Sequence, residues 1–168
     1  MIENVSLKQC MDFAVATEDI GAKYYDRLSD KFSDNPEISD LFSQLCKDER
    51  IHIQQFSELL NNLPPETDLS NSPEKAQYVR AMSISEFFSH HQGPFQDDKE
   101  IENRDDALER AFNFEKATLG FYKAVEESLG PNPTLTKVIE TEKGHIVNLM
   151  KSMLVEGSKF RSLQDVWT

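Results

Sequence analysis

Between positions 38 and 59, the residues Ile38, Phe42, Leu45, Glu49, His52, Phe56 and Leu59 succeed one another at steps of 4, 3, 4, 3, 4 and 3. That spacing puts all seven on one stripe of an α-helix. A stripe of this kind is buried against other helices, so Glu49 and His52 would be carried into an apolar interior. An ionised carboxylate buried without a partner costs many kcal/mol. The stripe therefore demands helical neighbours for its apolar members and a compensating charge for the two polar ones.

The same construction recurs along the chain. From about residue 6 to 33 the apolar positions Leu7, Met11, Ala14, Ala22, Tyr25, Leu28 and Phe32 form an amphipathic stripe that includes Glu18. Ser33-Asp34-Asn35-Pro36 then supplies a cap residue and a proline suited to a first helical turn, which starts the second helix at about 36–62. A third helix is predicted at about 104–129 through Leu108, Phe112, Glu115, Leu119, Tyr122 and Val125, and Gly130-Pro131 stops it. The fourth, at about 133–156, carries Leu135, Val138, Glu142, His145, Leu149 and Met153 and ends at Gly157. Between the second and third, residues 64–103 break the rhythm with Pro64-Pro65, Gly93-Pro94 and polar stretches, apart from one helical piece that Ser72-Pro73-Glu74 would cap. No strand pattern competes.

Helices of this length, each about 38 Å long, joined by short, long and short links, predict an all-α four-helix bundle. The long crossover between helices 2 and 3 lets those two run parallel, and 168 residues suit one domain, 1–168. A formal charge of −12, from 30 acidic and 18 dispersed basic residues, argues against a nucleic acid or an anionic membrane as partner. No apolar run approaches the roughly 20 residues of a membrane span, and the N-terminus lacks a signal-peptide pattern, so a soluble cytoplasmic protein is expected. Cys10 and Cys46 lack any paired spacing and are expected to be reduced core thiols.

Two Glu-x-x-His steps, Glu49 to His52 and Glu142 to His145, barely exceed chance by themselves, since 17 glutamates and four histidines give about 0.4 such pairs at random. Their position is the stronger signal. Glu18, Glu49, His52, Glu115, Glu142 and His145 all sit at mid-depth on the core stripes of four helices, and no Lys or Arg shares those stripes at matching depth. Arg50 and Lys143 follow their glutamates directly and so point away. Two divalent ions would neutralise the four carboxylates. Residues i and i+3 are neighbours on a helix, so each Glu-His pair can reach one ion. Related by an approximate twofold, Glu49 and Glu142 can bridge two ions, Glu18 and His52 completing one position and Glu115 and His145 the other. This ligand set is similar to that of the ferritin-like di-iron and di-manganese bundles. Oxygen-rich ligation with one imidazole per ion suits iron or manganese better than structural zinc.

Tyr25 and Tyr122 lie seven residues after Glu18 and Glu115, two helical turns on, and return to the face of their glutamates. Their hydroxyls are expected to orient the bridging carboxylates of a neighbouring helix. Gly144 suits either a close helix contact or an unoptimised surface position. His90-His91 reads as a polar loop pair, and the run from Asp97 to Asp106 as the acidic surround of a helix N-terminus. The tail, with Phe160, Leu163, Val166 and Trp167, is apolar enough to pack on the bundle or on a second subunit.

Through Glu18-x6-Tyr25, Asp48-Glu49-x-x-His52, Glu115-x6-Tyr122 and Glu142-x-x-His145, spread over residues 6–157, the chain resembles the rubrerythrin branch of the ferritin-like superfamily. The resemblance implies a non-haem di-iron centre that reduces hydrogen peroxide or dioxygen and is re-reduced by an electron donor, in a protein expected to form a homodimer. Two departures stand out. Full-length rubrerythrins append a rubredoxin-like site with two Cys-x-x-Cys pairs; here only Cys10 and Cys46 occur, so a separate molecule such as a rubredoxin-like protein would be the donor. Rubrerythrins also often carry a further glutamate three residues after the helix-3 ligand, where this chain has Thr118. The ligand set is also similar to that of bacterioferritin, but Arg50 and Ile51 fill the motif near which a haem-ligating methionine would stand, and no haem is expected. A ferroxidase that stores iron in a shell is the alternative function, and a non-catalytic metal-binding module, with manganese or zinc in place of iron, is the third.

Overall fold

The structure is a computed structural model that describes residues 7–62, 74 and 101–155. Its elements are α1 (Leu7–Lys31), α2 (Pro36–Asn62), α3 (Arg104–Leu129) and α4 (Pro133–Met153), and no strand occurs among the described residues. Most of the expected crossover, the Ser72-Pro73 cap, His90-His91 and the apolar tail lie outside the described residues.

Local chemistry sets the helix ends. Asn35 Oδ1 accepts from the Ile38 amide at 3.3 Å, and Pro36 occupies the first helical position of α2, where a missing N–H costs nothing. Asn103 caps α3 by accepting from the Asp106 amide at 3.1 Å, and Asn132 caps α4 through the amides of Thr134 and Leu135 at 3.0 and 3.2 Å. Gly130, at φ 87°, takes the left-handed conformation that closes α3, its N–H donating to the Glu126 carbonyl at 2.8 Å.

Helix α1 packs along α2, and α3 along α4. Near the first turn, Ser29 and Ser39 donate reciprocally to each other's carbonyls at 3.0 and 2.9 Å, which fixes the α1–α2 hairpin. Contacts between the hairpins give the helix directions. Tyr25 meets Glu115 and Tyr122 meets Glu18, so α1 and α3 run antiparallel. Asp48 meets His145 and His52 meets Glu142, so α2 and α4 do as well. Helices α2 and α3 are then parallel, as a long connection between them requires.

On α2 all seven stripe residues are buried. On α4 the six expected residues are buried and Ile139 joins them. Helix α3 departs from the expectation: Phe112 and Leu119 are only half-buried, and the interior face is a broad band that also takes in Ala107, Ala111, Phe114, Ala117, Thr118, Phe121, Ala124 and Ser128. Four alanines among these let α3 approach its neighbours over a wider arc than a heptad seam provides. The displaced Phe112 ring lies at the rim beneath the Lys116 ammonium, 5.5 Å from its centroid.

Aromatic layers close the bundle on both sides of the polar middle. On one side Tyr25 stacks on Phe42 at 6.0 Å and meets Phe114 edge-on at 6.0 Å; on the other Phe56 lies 4.8 Å from Tyr122, next to Phe121. A Leu or Phe buried this fully contributes roughly 1.5–3 kcal/mol. Those layers offset the cost of the polar centre and keep water from it. Cys10 and Cys46 are free thiols buried in the core, and burial pushes the Cys10 thiol up to about 11, which leaves it protonated and inert.

Candidate metal centre

Each helix brings one glutamate to the middle of the bundle, and α2 and α4 each add a histidine one turn further on. All six predicted residues meet there: Glu18, Glu49, Glu115 and Glu142 are 0% exposed, and His52 and His145 are buried with them. Their donor atoms form two groups, Glu18, Glu49, His52 and Glu142 in one and Glu49, Glu115, Glu142 and His145 in the other, each with its four atoms within 4.8 Å of one another. Glu49 and Glu142 belong to both. The two imidazole rings lie 5.7 Å apart and present Nδ1 to the carboxylates.

The electrostatics of this cluster do not close with the protein's own atoms. His52 Nδ1 faces Glu142 Oε1 at 3.0 Å, Glu49 Oε2 at 3.3 Å and Glu18 Oε2 at 3.4 Å, but a single N–H serves one acceptor well. His145 Nδ1 lies 3.0 Å from Glu115 Oε2 and 3.8 Å from Glu49 Oε1. Glu18 Oε2, Glu49 Oε1 and Glu142 Oε1 remain buried without a well-formed hydrogen bond, the imidazole contacts being ill-aligned or too long. Burial first, and then the charges of Glu18 and Glu115, hold Glu49 well above the usual carboxylate range. Burial, followed by the Glu115 charge, pushes Glu142 up to about 8. Burial works against the imidazolium form, yet the facing carboxylates of Glu142 and Glu18 raise His52 to about 9, and hydrogen bonds to Asp48 and Glu115 raise His145 to about 11. Protons thus occupy a site whose donors could hold cations, and three orphaned carboxylate oxygens fit a pair of metal ions as the missing charge.

Tyr25 donates to Glu115 Oε1 and Tyr122 to Glu18 Oε1, both across the bundle. This corrects the expectation that the tyrosines orient the shared carboxylates. Because α1 and α3 are antiparallel and the spacing is seven on each, every tyrosine comes level with the other helix's unshared glutamate. Burial, followed by the neighbouring carboxylates, holds both phenols well above 10, so they remain donors.

Three further residues act on the cluster: Asp48 and Thr118, which the family resemblance brings up without a role for their side chains, and Gly21, which no pattern marks. Thr118 Oγ1 lies 2.8 Å from Glu142 Oε2 and gives that oxygen its hydrogen bond. Asp48 Oδ2 accepts from His145 Nε2 at 3.2 Å, and Asp48 Oδ1 accepts from Gln44 at 3.0 Å. Gly21 lets α1 pass the centre: a Cβ there would stand 2.8 Å from the Phe114 ring and 3.6 Å from Glu49 Cγ. Each lies beside a ligand candidate, at i−1 or i+3, which was the available signal. Gly144 is exposed with nothing within 4 Å of a built Cβ, so it is a surface position. Arg50 also points away, toward Asp26 at 3.6 Å.

A four-helix bundle with two carboxylate-histidine groups at its centre is of the ferritin-like kind. Residues 9–90 match the family model described as Rubrerythrin, a match consistent with a rubrerythrin-like protein of the ferritin-like kind. That family implies binding of a metal pair. No curated protein and no solved structure matches the chain. Among the described residues, no helix is long and apolar enough to cross a membrane.

Proposed function

We propose that this chain is a cytoplasmic non-haem di-iron oxidoreductase that removes hydrogen peroxide or dioxygen, using electrons from a separate donor such as a rubredoxin-like protein. The observation that carries the reading is the pair of buried donor groups sharing Glu49 and Glu142, with carboxylate oxygens left unsatisfied. Four carboxylates against two imidazoles favour iron, with manganese as the nearest substitute, over thiolate-preferring metals.

Bound there, two ferrous ions would supply the two electrons that convert one peroxide and two protons into two waters. The chain's own residues prepare the site. Glu18 and His52 would hold one ion, Glu115 and His145 the other, and Glu49 and Glu142 would serve both. Tyr122 and Tyr25 pin Glu18 and Glu115 by donating to one oxygen each, which leaves the second oxygen directed inward. Thr118 does the same for Glu142. The layers of Phe42, Phe114 and Tyr25 and of Phe56, Phe121 and Tyr122 exclude bulk water from the ends of the centre. No haem enters this account.

Anaerobic reconstitution with ferrous iron followed by peroxide tests the proposal. Oxidation of the bound iron within seconds, and turnover when a reduced rubredoxin-like donor is added, are the expected results. Stable ferrous protein in the presence of peroxide and oxygen would sink it. Size exclusion separates the proposal from iron storage: a homodimer or small oligomer is expected, and a 24-subunit or 12-subunit shell would favour a ferroxidase.

A further inference from the structure

The two halves of the centre superimpose in sequence: Glu18 corresponds to Glu115, Tyr25 to Tyr122, Glu49 to Glu142 and His52 to His145. Under that correspondence Asp48, immediately before Glu49, has Thr141 as its counterpart. The two positions are not chemically alike, and they face the two histidines differently.

Asp48 is partly buried, and its Oδ2 lies 3.2 Å from His145 Nε2. Gln44 holds the other Asp48 oxygen at 3.0 Å, so the carboxylate is itself fixed in place. An acceptor at Nε2 selects the tautomer with the proton on Nε2. Nδ1 then presents its lone pair to the space shared with Glu115 and Glu49, and the hydrogen bond makes that lone pair more basic toward a cation. His52 has no such fixture among the described residues. Every polar contact of its ring among the described residues is made by Nδ1, and the Thr141 hydroxyl is spent on the Lys137 carbonyl at 3.1 Å. Among the described residues no acceptor at Nε2 selects the tautomer that frees Nδ1, so an ion binding there must displace the Nδ1 proton itself.

We infer that the two metal positions are built unequal: the one formed by Glu115 and His145 takes the first ion and holds it more tightly, with Asp48 as the positioning residue, and the one formed by Glu18 and His52 fills second. This inference rests on the two-metal reading above.

Titration of the full-length, metal-free chain with Co(II) under nitrogen, read by visible absorption and by the hyperfine-shifted imidazole N–H protons, tests it. The wild-type chain should bind in two steps separated by about tenfold or more. The signal present at the first equivalent should be missing from His145→Gln and retained in His52→Gln. Asp48→Ala should weaken the first step by about 10- to 100-fold and leave the second little changed, because outer hydrogen bonds to a ligand act on that ligand's ion. Asp48→Asn, whose amide oxygen still accepts from Nε2–H, should recover part of the loss, which a general folding defect would not allow. Thr141→Asp should tighten the second step. Two ions bound with indistinguishable affinity, a first signal belonging to His52, or an Asp48→Ala chain weakened equally in both steps would overturn the inference while leaving a two-metal centre standing. Fewer than two Co(II) per wild-type chain would overturn the two-metal reading itself, and this inference with it.

Discussion

The α1–α2 half of the molecule and the α3–α4 half deliver the same donors to the centre, but by different local means. In the first half α2 is a strict seam in which Glu49 and His52 simply replace two apolar members; in the second, α3 buries a broad alanine-rich band. Glu18, Glu49 and His52 lie inside the residues that match the Rubrerythrin family model, whereas Glu115, Glu142 and His145 lie beyond position 90. The convergence of six side chains is nonetheless as tight on one side as on the other. A shared pair of carboxylates constrains the geometry of both halves. It leaves each helix free to pack its remaining faces in its own way.

Removing a shared residue strikes both halves at once and has the largest effect. Glu49→Ala or Glu142→Ala should abolish binding of both ions, since each residue belongs to both donor groups, and metal analysis of the purified variants checks this. Glu18→Ala and Glu115→Ala should each weaken mainly one ion. Equal, mild losses at all four glutamates would mean that Glu49 and Glu142 are not shared.

Acidity gives the next largest effect. Glu49, Glu142, His52 and His145 hold protons more firmly in the folded chain than the ordinary 4.5 of a glutamate and 6.5 of a histidine, with Glu142 up to about 8, His52 to about 9 and His145 to about 11. The folded state therefore binds more protons than the unfolded one above about pH 4.5, and metal-free stability is lost as pH rises through 8 and on to 11. Glu115 and Asp48, held below their ordinary range, act in the opposite sense, and their contribution is lost only as pH falls below about 4. Metal ions replace the protons, so metal affinity should increase with pH and the loaded protein should lose the alkaline decline. Melting curves at pH 6 and pH 9, with and without metal, check both signs. A metal-free chain that is more stable at pH 9 than at pH 6 would contradict the assignment of those protons.

The smallest effects sharpen the contrast between Gly21 and Thr118, the residues three positions after Glu18 and Glu115. Thr118→Val leaves Glu142 Oε2 without its donor and should cost about 1–3 kcal/mol in the metal-free protein. Gly21→Ala drives a methyl into the Phe114 ring and should cost roughly 1–3 kcal/mol, with Phe114 passing the displacement to Tyr25. Denaturant unfolding measures both.

Which parts of this arrangement were legible in the sequence follows from what periodicity records. A seam of 4 and 3 steps reports which face turns inward, so the helices, the bundle and the meeting of Glu18, Glu49, His52, Glu115, Glu142 and His145 could be read from spacing. The partner of each tyrosine could not, because it depends on how the hairpins sit against each other; the antiparallel run of α1 and α3 sends Tyr25 to Glu115 and Tyr122 to Glu18. On α3, Phe112 and Leu119 fit a seam as well as Ala111 and Thr118 do. Only packing against small residues decides which pair is buried. Asp48 stands in the motif with Glu49 and His52, but its partner could not be read, because a half-exposed aspartate beside a ligand candidate looks like any solvated helix residue until His145 is seen above it.

A two-metal centre shared between the halves fixes the ratio of metal to chain, and metal analysis of protein purified from its own host measures that ratio. Two iron or manganese ions per chain, held through removal of loosely bound metal, is the predicted result. One ion per chain, or a content of zinc alone with no turnover restored by iron or manganese, would contradict it.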